Sequence, residues 1–369
     1  MKMIRLYAYL YHNLGDDLMV ETMLSRYRHL LFYCDSDAPI RNKRIVAYPN
    51  FVDKEKLYEK YGRLNHLLNI LTFHKKENFF FNWFFRRYEQ RCQCSVYIGG
   101  SLFIPRPDES IGARLERERM KMQQPPLFVI GANFGDEGLE YTKAFGNFFS
   151  QCGGVSFRDK ISYDKFSDLN NAQHAPDVVF NYDTSGYTVR DDNVVVISVI
   201  DLYRKLSLSQ HAEAYDEFIV TVCKECVARN KKPVLVSFCE LENDPAAVNR
   251  IFERLPHEVQ EKTQRCYYRN NPSEVLDLFA AANYVVATRF HAMVLAMKFQ
   301  KPFFCISYNE KIRQVLAETG IDHYCELAQI KTLDAKDIFA ESGMHVSEEY
   351  MGQAKKQFSQ FENYIQSSF

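Results

Sequence analysis

Short apolar runs alternate with longer amphipathic stretches along nearly the whole chain, and that alternation constrains the fold more than any other feature. Residues 4–9, 44–48, 95–98, 127–131 and 155–157 read as strands. Residues 16–27, 54–71, 138–150 and 159–169 carry the three-to-four spacing of helices. A strand that must cross over a helix before meeting its neighbour builds a parallel sheet covered by helices. The pattern restarts after 178–180, past the polar, turn-rich stretch 181–186. Strands are then expected at 193–199, 233–238, 265–268, 284–287 and 302–306, with helices at 210–230, 273–282, 291–298 and 310–319. In 347–366 an apolar stripe of Tyr350, Ala354, Phe358, Phe361 and Ile365 predicts one more helix. The expectation is an α/β chain of two Rossmann-like, doubly wound domains facing a cleft, over 1–185 and 186–345. A C-terminal helix within 346–369 is expected to pack back on the first domain.

A length of 369 residues suits two domains. With 46% apolar and 25% charged residues, extensive disorder is excluded. Lys and Arg total 46 against 47 Asp and Glu, so the basic excess of a nucleic-acid binder is missing and no nucleic-acid partner is expected. The 29 Phe and 23 Tyr predict an aromatic core. Ten scattered cysteines include one CxxC, Cys223 and Cys226, inside a helical pattern. A zinc site needs four ligands, so these read as core-facing cysteines and no metal is expected. Neither a secretory h-region nor an apolar window of about 18 residues is visible, which predicts a cytoplasmic protein. The run 79–87, with five Phe, one Trp and two Arg, reads as a helix buried in the first domain. Its alternative is peripheral contact with the inner face of a membrane.

Ligands of doubly wound sheets bind beyond the carboxyl ends of the strands, so the residues following each strand carry the functional reading. After 4–9 come Asn13, Gly15, Asp16 and Asp17, where Gly15 permits a tight turn and either Asp can cap the next helix. After 95–98 come Gly99, Gly100 and Ser101, a turn open to close approach by an anion. After 127–131 come Asn133 and Phe134, and after 155–157 comes Arg158, whose bland reading is a salt bridge to Asp159 or a neighbouring carboxylate. After 284–287 come Thr288, Arg289 and His291, where guanidinium, imidazole and helix N-terminal amides meet. Tyr308 and Lys311 follow 302–306.

In order and spacing these segments resemble the polysaccharide pyruvyl transferase family over about positions 10–320. The resemblance rests on 13–17, Gly99-Gly100, 131–135, Arg158-Asp159 with Ser162, 176–180, 288–291, and Tyr308 with Lys311. One departure is Asp136 after Gly135, where related sequences carry proline. The resemblance implies a fold similar to GT-B glycosyltransferases and transfer of a pyruvyl group from phosphoenolpyruvate to a sugar, forming a ketal. The sugar belongs to a polysaccharide or its glycan precursor, lipid- or nucleotide-linked. It implies catalytic roles for His291, Arg158 and Lys311, and substrate contacts by Arg289, Asn13, Asp16, Gly99, Gly100, Ser101, Asn133, Phe134 and Tyr308. His291 is the expected general acid, because imidazole titrates near neutral pH. Phosphoenolpyruvate is the donor substrate, and no cofactor is expected. Two alternatives remain: a GT-B-type nucleotide-sugar glycosyltransferase, and a non-catalytic partner in polysaccharide assembly.

Overall fold

The computed structural model describes residues 1–34, 42–71, 79–105, 109–123, 125–135, 138–339 and 346–368, apart from some side chains in the helices at 54–71 and 79–91. The chain divides into two compact units. One comprises Met1–Leu10, Met19–Val178 and Lys355–Phe369; the other comprises Tyr11–Leu18 and Val179–Ala354. The boundary between Val178 and Val179 falls just ahead of the polar 181–186 stretch.

The first unit is built on β1 (Lys2–Ala8), β2 (Leu30–Cys34), β3 (Phe51–Asp53), β4 (Cys92–Ile98), β5 (Leu127–Ala132), β6 (Gly154–Phe157) and β7 (Ala172–His174). They form one sheet in the order β3-β2-β1-β4-β5-β6-β7. The second unit contains β8 (Val194–Val199), β9 (Lys232–Ser237), β10 (Gln264–Tyr267), β11 (Ala282–Ala287), β12 (Phe303–Ser307) and β13 (Tyr324–Glu326), ordered β10-β9-β8-β11-β12-β13. Every pairing is parallel. Within each sheet the first strands run outward one way and the later strands the other. Strand order therefore reverses at β1/β4 in the first unit and at β8/β11 in the second. The central strands β5 and β8 are buried at every position, as a sheet covered on both faces requires.

Three local expectations are corrected. Residues 44–48 are not a strand: Asn42 accepts hydrogen bonds from the amides of Arg44 and Ile45 and caps a helix over Lys43–Ala47. The strand that pairs with β1 is instead Leu30–Cys34, a five-residue apolar run that periodicity alone does not separate from the preceding helix. The tail is not one helix. It is a helix over Glu348–Gln353, a 3-10 turn over Ala354–Phe358 and a helix over Ser359–Ser368. Buried Gln357 explains how the last part is held. Its amide accepts from the Gly131 nitrogen at 3.0 Å and donates to the Ala175 carbonyl at 2.6 Å, beside the ends of β5 and β6. The core of the first unit is aromatic, with Phe103, Phe134, Phe145, Phe149 and Phe166 in mutual edge contacts. Cys223 and Cys226 face the core of the second unit from the helix Ala212–Ala228, and burial pushes the Cys226 thiol up to about 12.

Candidate active site

The second unit places a cluster of charged side chains at its sheet's reversal point. β11 ends at Ala287, and Thr288 and Arg289 follow in extended backbone before the helix Phe290–Lys298. The neighbouring strand fixes that turn. Ser198 Oγ on β8 accepts from the amides of Thr288 at 2.8 Å and Arg289 at 3.1 Å, and Tyr215 places its hydroxyl 3.1 Å from Thr288 Oγ1. Arg289 is 7% exposed, and its guanidinium is gripped by carboxylates. Nε donates to Asp244 Oδ2 at 3.0 Å, Nη2 pairs with Asp244 Oδ1, and Nη1 donates to Glu242 Oε2 at 2.7 Å. Glu242 Oε2 also accepts from Lys205 Nζ at 2.7 Å. Tyr308, after β12, lies with its ring centroid 5.8 Å from that ammonium. Four adjacent strands, β9, β8, β11 and β12, thus deliver Glu242, Lys205, Arg289 and Tyr308.

Charge balance sets the protonation of this cluster. Burial alone disfavours the charged form of Arg289, but Asp244, Tyr308 and Glu242 reverse that, and the guanidinium is held well above its usual range. Burial also opposes ionisation of Glu242, yet Arg289 and Lys205 outweigh it and hold the carboxyl at about 2. Burial raises the Tyr308 phenol against the pull of Arg289.

His291 is the second residue of its helix and is half-buried. It lies against Gly15: a Cβ built there falls 1.8 Å from His291 Nδ1. Gly15 is therefore needed for close approach rather than for a tight turn, since it lies in the helix Leu14–Arg26. Asn13, not Asp16 or Asp17, caps that helix, its Oδ1 accepting from the Gly15 amide at 3.1 Å. Asp16 is half-buried in the first turn, and buried Asp17 accepts from Tyr268 Oη at 2.5 Å. Lys311 is half-buried in the first turn of the helix Glu310–Thr319.

In the first unit Arg158 follows β6 and is 3% exposed. Its ion-pair partner is Asp177 at 2.8 Å rather than Asp159. Asp159 is engaged elsewhere: it caps the helix Lys160–Asp164 and accepts from Ser162 Oγ at 2.8 Å, which in turn accepts from the Phe134 amide at 2.7 Å. A Cβ on Gly100 would fall 2.4 Å from Arg158 Nη1, so the glycine makes room for the guanidinium. Gly99 and Gly100 follow β4 at this sheet's reversal point, with exposed Ser101 beyond them. The Asn133 amide donates to the Gly100 carbonyl at 2.8 Å, while Asn133 Oδ1 is buried with no hydrogen-bond partner among the described residues. Phe134 is a core residue, 6% exposed, and its ring packs with Tyr141, Phe145 and Phe166. Asp136 lies outside the described residues.

Lys205, Glu242 and Asp244 are the charged residues that the sequence reading misses. Each follows a correctly placed strand, β8 or β9, so the strand-end rule that exposes Arg289 also points to them. Among the described residues no group of three His, Cys, Asp or Glu side chains is arranged to hold a metal ion.

The sequence profile of the polysaccharide pyruvyl transferase family matches residues 13–310. The chain belongs to that family. The pyruvyl transferase match runs from Asn13 through Arg158 to Arg289 and His291. Solved structures with a similar fold include Anabaena HepE in complex with UDP and glucose, at a TM-score of 0.54 and 13% identity over 100% of this chain and 98% of that one. UDP-GlcNAc 2-epimerase from Methanocaldococcus jannaschii has a TM-score of 0.55 and 10% identity over 98% and 99%. MnaA of S. aureus, solved with UDP, has a TM-score of 0.57 and 8% identity over 99% and 97%. These likenesses establish the GT-B-type α/β fold of this pyruvyl transferase family member.

Proposed function

We propose that the protein transfers the pyruvyl unit of phosphoenolpyruvate to two hydroxyls of a sugar in a polysaccharide or glycan precursor, forming a ketal and releasing inorganic phosphate. The observation that carries this reading is the strand-end cluster of the second unit. A buried guanidinium and an ammonium lie about one carboxylate oxygen, with His291 two residues after Arg289. Phosphoenolpyruvate carries a phosphate and a carboxylate, and each is an oxyanion that such cations bind.

The chemistry follows from those groups. His291 donates a proton to C3 of the enol, leaving C2 electrophilic. A sugar hydroxyl attacks C2 and loses its proton. The C2–O bond to phosphate then breaks, and a second hydroxyl adds to C2, loses its proton and closes the ketal. Arg289 and Lys311 steady the negative charge on the leaving phosphate, and Tyr308 borders the donor. A positioned acid supplies about 10²–10⁴-fold in rate, and oriented charge supplies much of the rest. Arg158 is assigned a donor-binding and catalytic role on the family resemblance. Asn13, Asp16, Gly99, Gly100, Ser101, Asn133 and the Phe134 backbone are assigned to substrate contacts. Buried Asn133 Oδ1 offers an acceptor of the kind a sugar hydroxyl needs.

We place the reaction on the cytoplasmic side, where phosphoenolpyruvate is available. No helix among the described residues is long and apolar enough to cross a membrane. In the helix Phe79–Arg91, Phe85 is buried while Trp83 is 44% exposed with Arg87 over its ring, and peripheral membrane contact is proposed for that face.

A thermal shift titration tests the donor. Phosphoenolpyruvate at a hundredfold excess over Kd stabilises a binding protein by about 2.7 kcal/mol, so the melting point rises. UDP should leave it unchanged. A rise with UDP and none with phosphoenolpyruvate refutes the proposal in favour of nucleotide-sugar transfer.

A further inference from the structure

The two carboxylates on Arg289 are built differently. Asp244 is fully buried. It accepts from the Phe238 amide at 3.2 Å and the Cys239 amide at 2.9 Å as well as from the guanidinium. Its place is set by backbone, so it orients Arg289. Glu242 has a side chain 37% exposed, and it pairs with the two cations. One oxygen, Oε2, lies 2.7 Å from Arg289 Nη1 and 2.7 Å from Lys205 Nζ, the spacing of charge-assisted bonds to an oxyanion. Those cations arise on the two sides of the strand-order reversal, after β11 and after β8, where doubly wound sheets bind ligands.

We propose that Glu242 is an internal stand-in for the donor: its carboxylate holds the position of a substrate oxyanion between Arg289 and Lys205 and swings out when the donor enters. This deepens the phosphoenolpyruvate reading and rests on it for the identity of the incoming anion. It also makes Lys205 a donor-binding residue. The balance of charge favours such a device. With Glu242 in place, Arg289 and Lys205 face Glu242 and Asp244, two charges against two, and no buried cation lies uncompensated. An entering carboxylate preserves that balance as Glu242 turns to solvent, and an entering phosphate supplies up to one further negative charge. The carboxylate thereby competes with every anion that approaches, and only a ligand with further contacts displaces it efficiently.

Isothermal titration calorimetry of the full chain with inorganic phosphate, pyruvate and phosphoenolpyruvate tests this. Removing one partly exposed carboxylate competitor in Glu242→Ala is expected to tighten phosphate or pyruvate binding by roughly five- to tenfold. The anion that gains identifies which donor group the position takes. Glu242→Gln, which keeps the side-chain volume, should show a smaller gain in the same direction. Adding Lys205→Met should remove the gain. Equal or weaker binding of both small anions in both Glu242 variants overturns the proposal, as does a gain that survives Lys205→Met. The donor reading fails separately: if small-anion binding tightens while no variant binds phosphoenolpyruvate, Glu242 is an anion stand-in and the donor is another compound. If phosphoenolpyruvate binds wild type and both variants equally, the donor stands and the role of Glu242 is wrong.

Discussion

Gly15→Ala isolates the placement of His291 without touching the imidazole. The new Cβ falls 1.8 Å from Nδ1 and 2.2 Å from both Cε1 and Cγ. Ordinary contact is near 3.5 Å, so the ring must retreat by about 1.5 Å or more. Overpacking of this kind costs about 1–3 kcal/mol. Alanine returns at most about 1 kcal/mol because Gly15 is helical. Net destabilisation is thus about 0–3 kcal/mol, less than the roughly 5–15 kcal/mol of a native domain, and the fold survives. Catalysis is far more sensitive, since a misplacement near 1 Å can cost about 100-fold. Phosphate release from phosphoenolpyruvate with a glycan acceptor should fall by about two orders of magnitude, while a urea melt shows a loss of no more than about 3 kcal/mol. The double variant Gly15→Ala/His291→Ala supplies the control. With the ring gone the stability loss should vanish, leaving a coupling energy of about 1 kcal/mol or more between the sites. Unchanged turnover and melting in Gly15→Ala would refute both the packing and the role given to His291.

His291→Gln should abolish turnover while circular dichroism and melting stay near wild type; near-normal rates remove it from proton transfer. Asp244→Asn leaves the buried Arg289 charge without its backbone-anchored partner and should cost about 3–5 kcal/mol in a urea melt, whereas a loss under about 1 kcal/mol contradicts the orienting role. Glu242 carries an acid-stability signature. Its carboxyl is depressed from the usual 4.5 to about 2, so its contribution is present above 4.5 and is lost as pH falls toward 2. Glu242→Gln should flatten the stability profile within that window, and an unaltered slope there contradicts the ion pairing.

The architecture was legible because fully buried parallel strands leave β-branched-rich runs such as Val194–Val199, which only Ser198 interrupts. The rule that function gathers after strands located Arg289 and His291 at the second sheet's reversal and Gly99-Gly100 at the first. Local capping decided the failures. Asn42 turns an apolar pentapeptide into a helix, and Asn13 rather than Asp16 or Asp17 begins the helix Leu14–Arg26. Side-chain partnerships were not legible. Glu242 and Lys205 meet through chain folding 37 residues apart, and Arg289 meets Asp244 45 residues away. Gly15 resembles a turn residue until its contact with His291, far along the chain, supplies the actual reason. Phe134 lies in a loop that reads as a ligand contact, yet an aromatic side chain beside a Phe-rich helix is drawn into the core.

A crystal structure of the protein soaked with phosphoenolpyruvate tests the central claim most directly. The account predicts a donor oxyanion within about 3.2 Å of Arg289 Nη1 and Lys205 Nζ, with Glu242 turned away and C3 facing His291. Donor density elsewhere, with Glu242 still bridging both cations and His291 remote from the enol carbon, would contradict it.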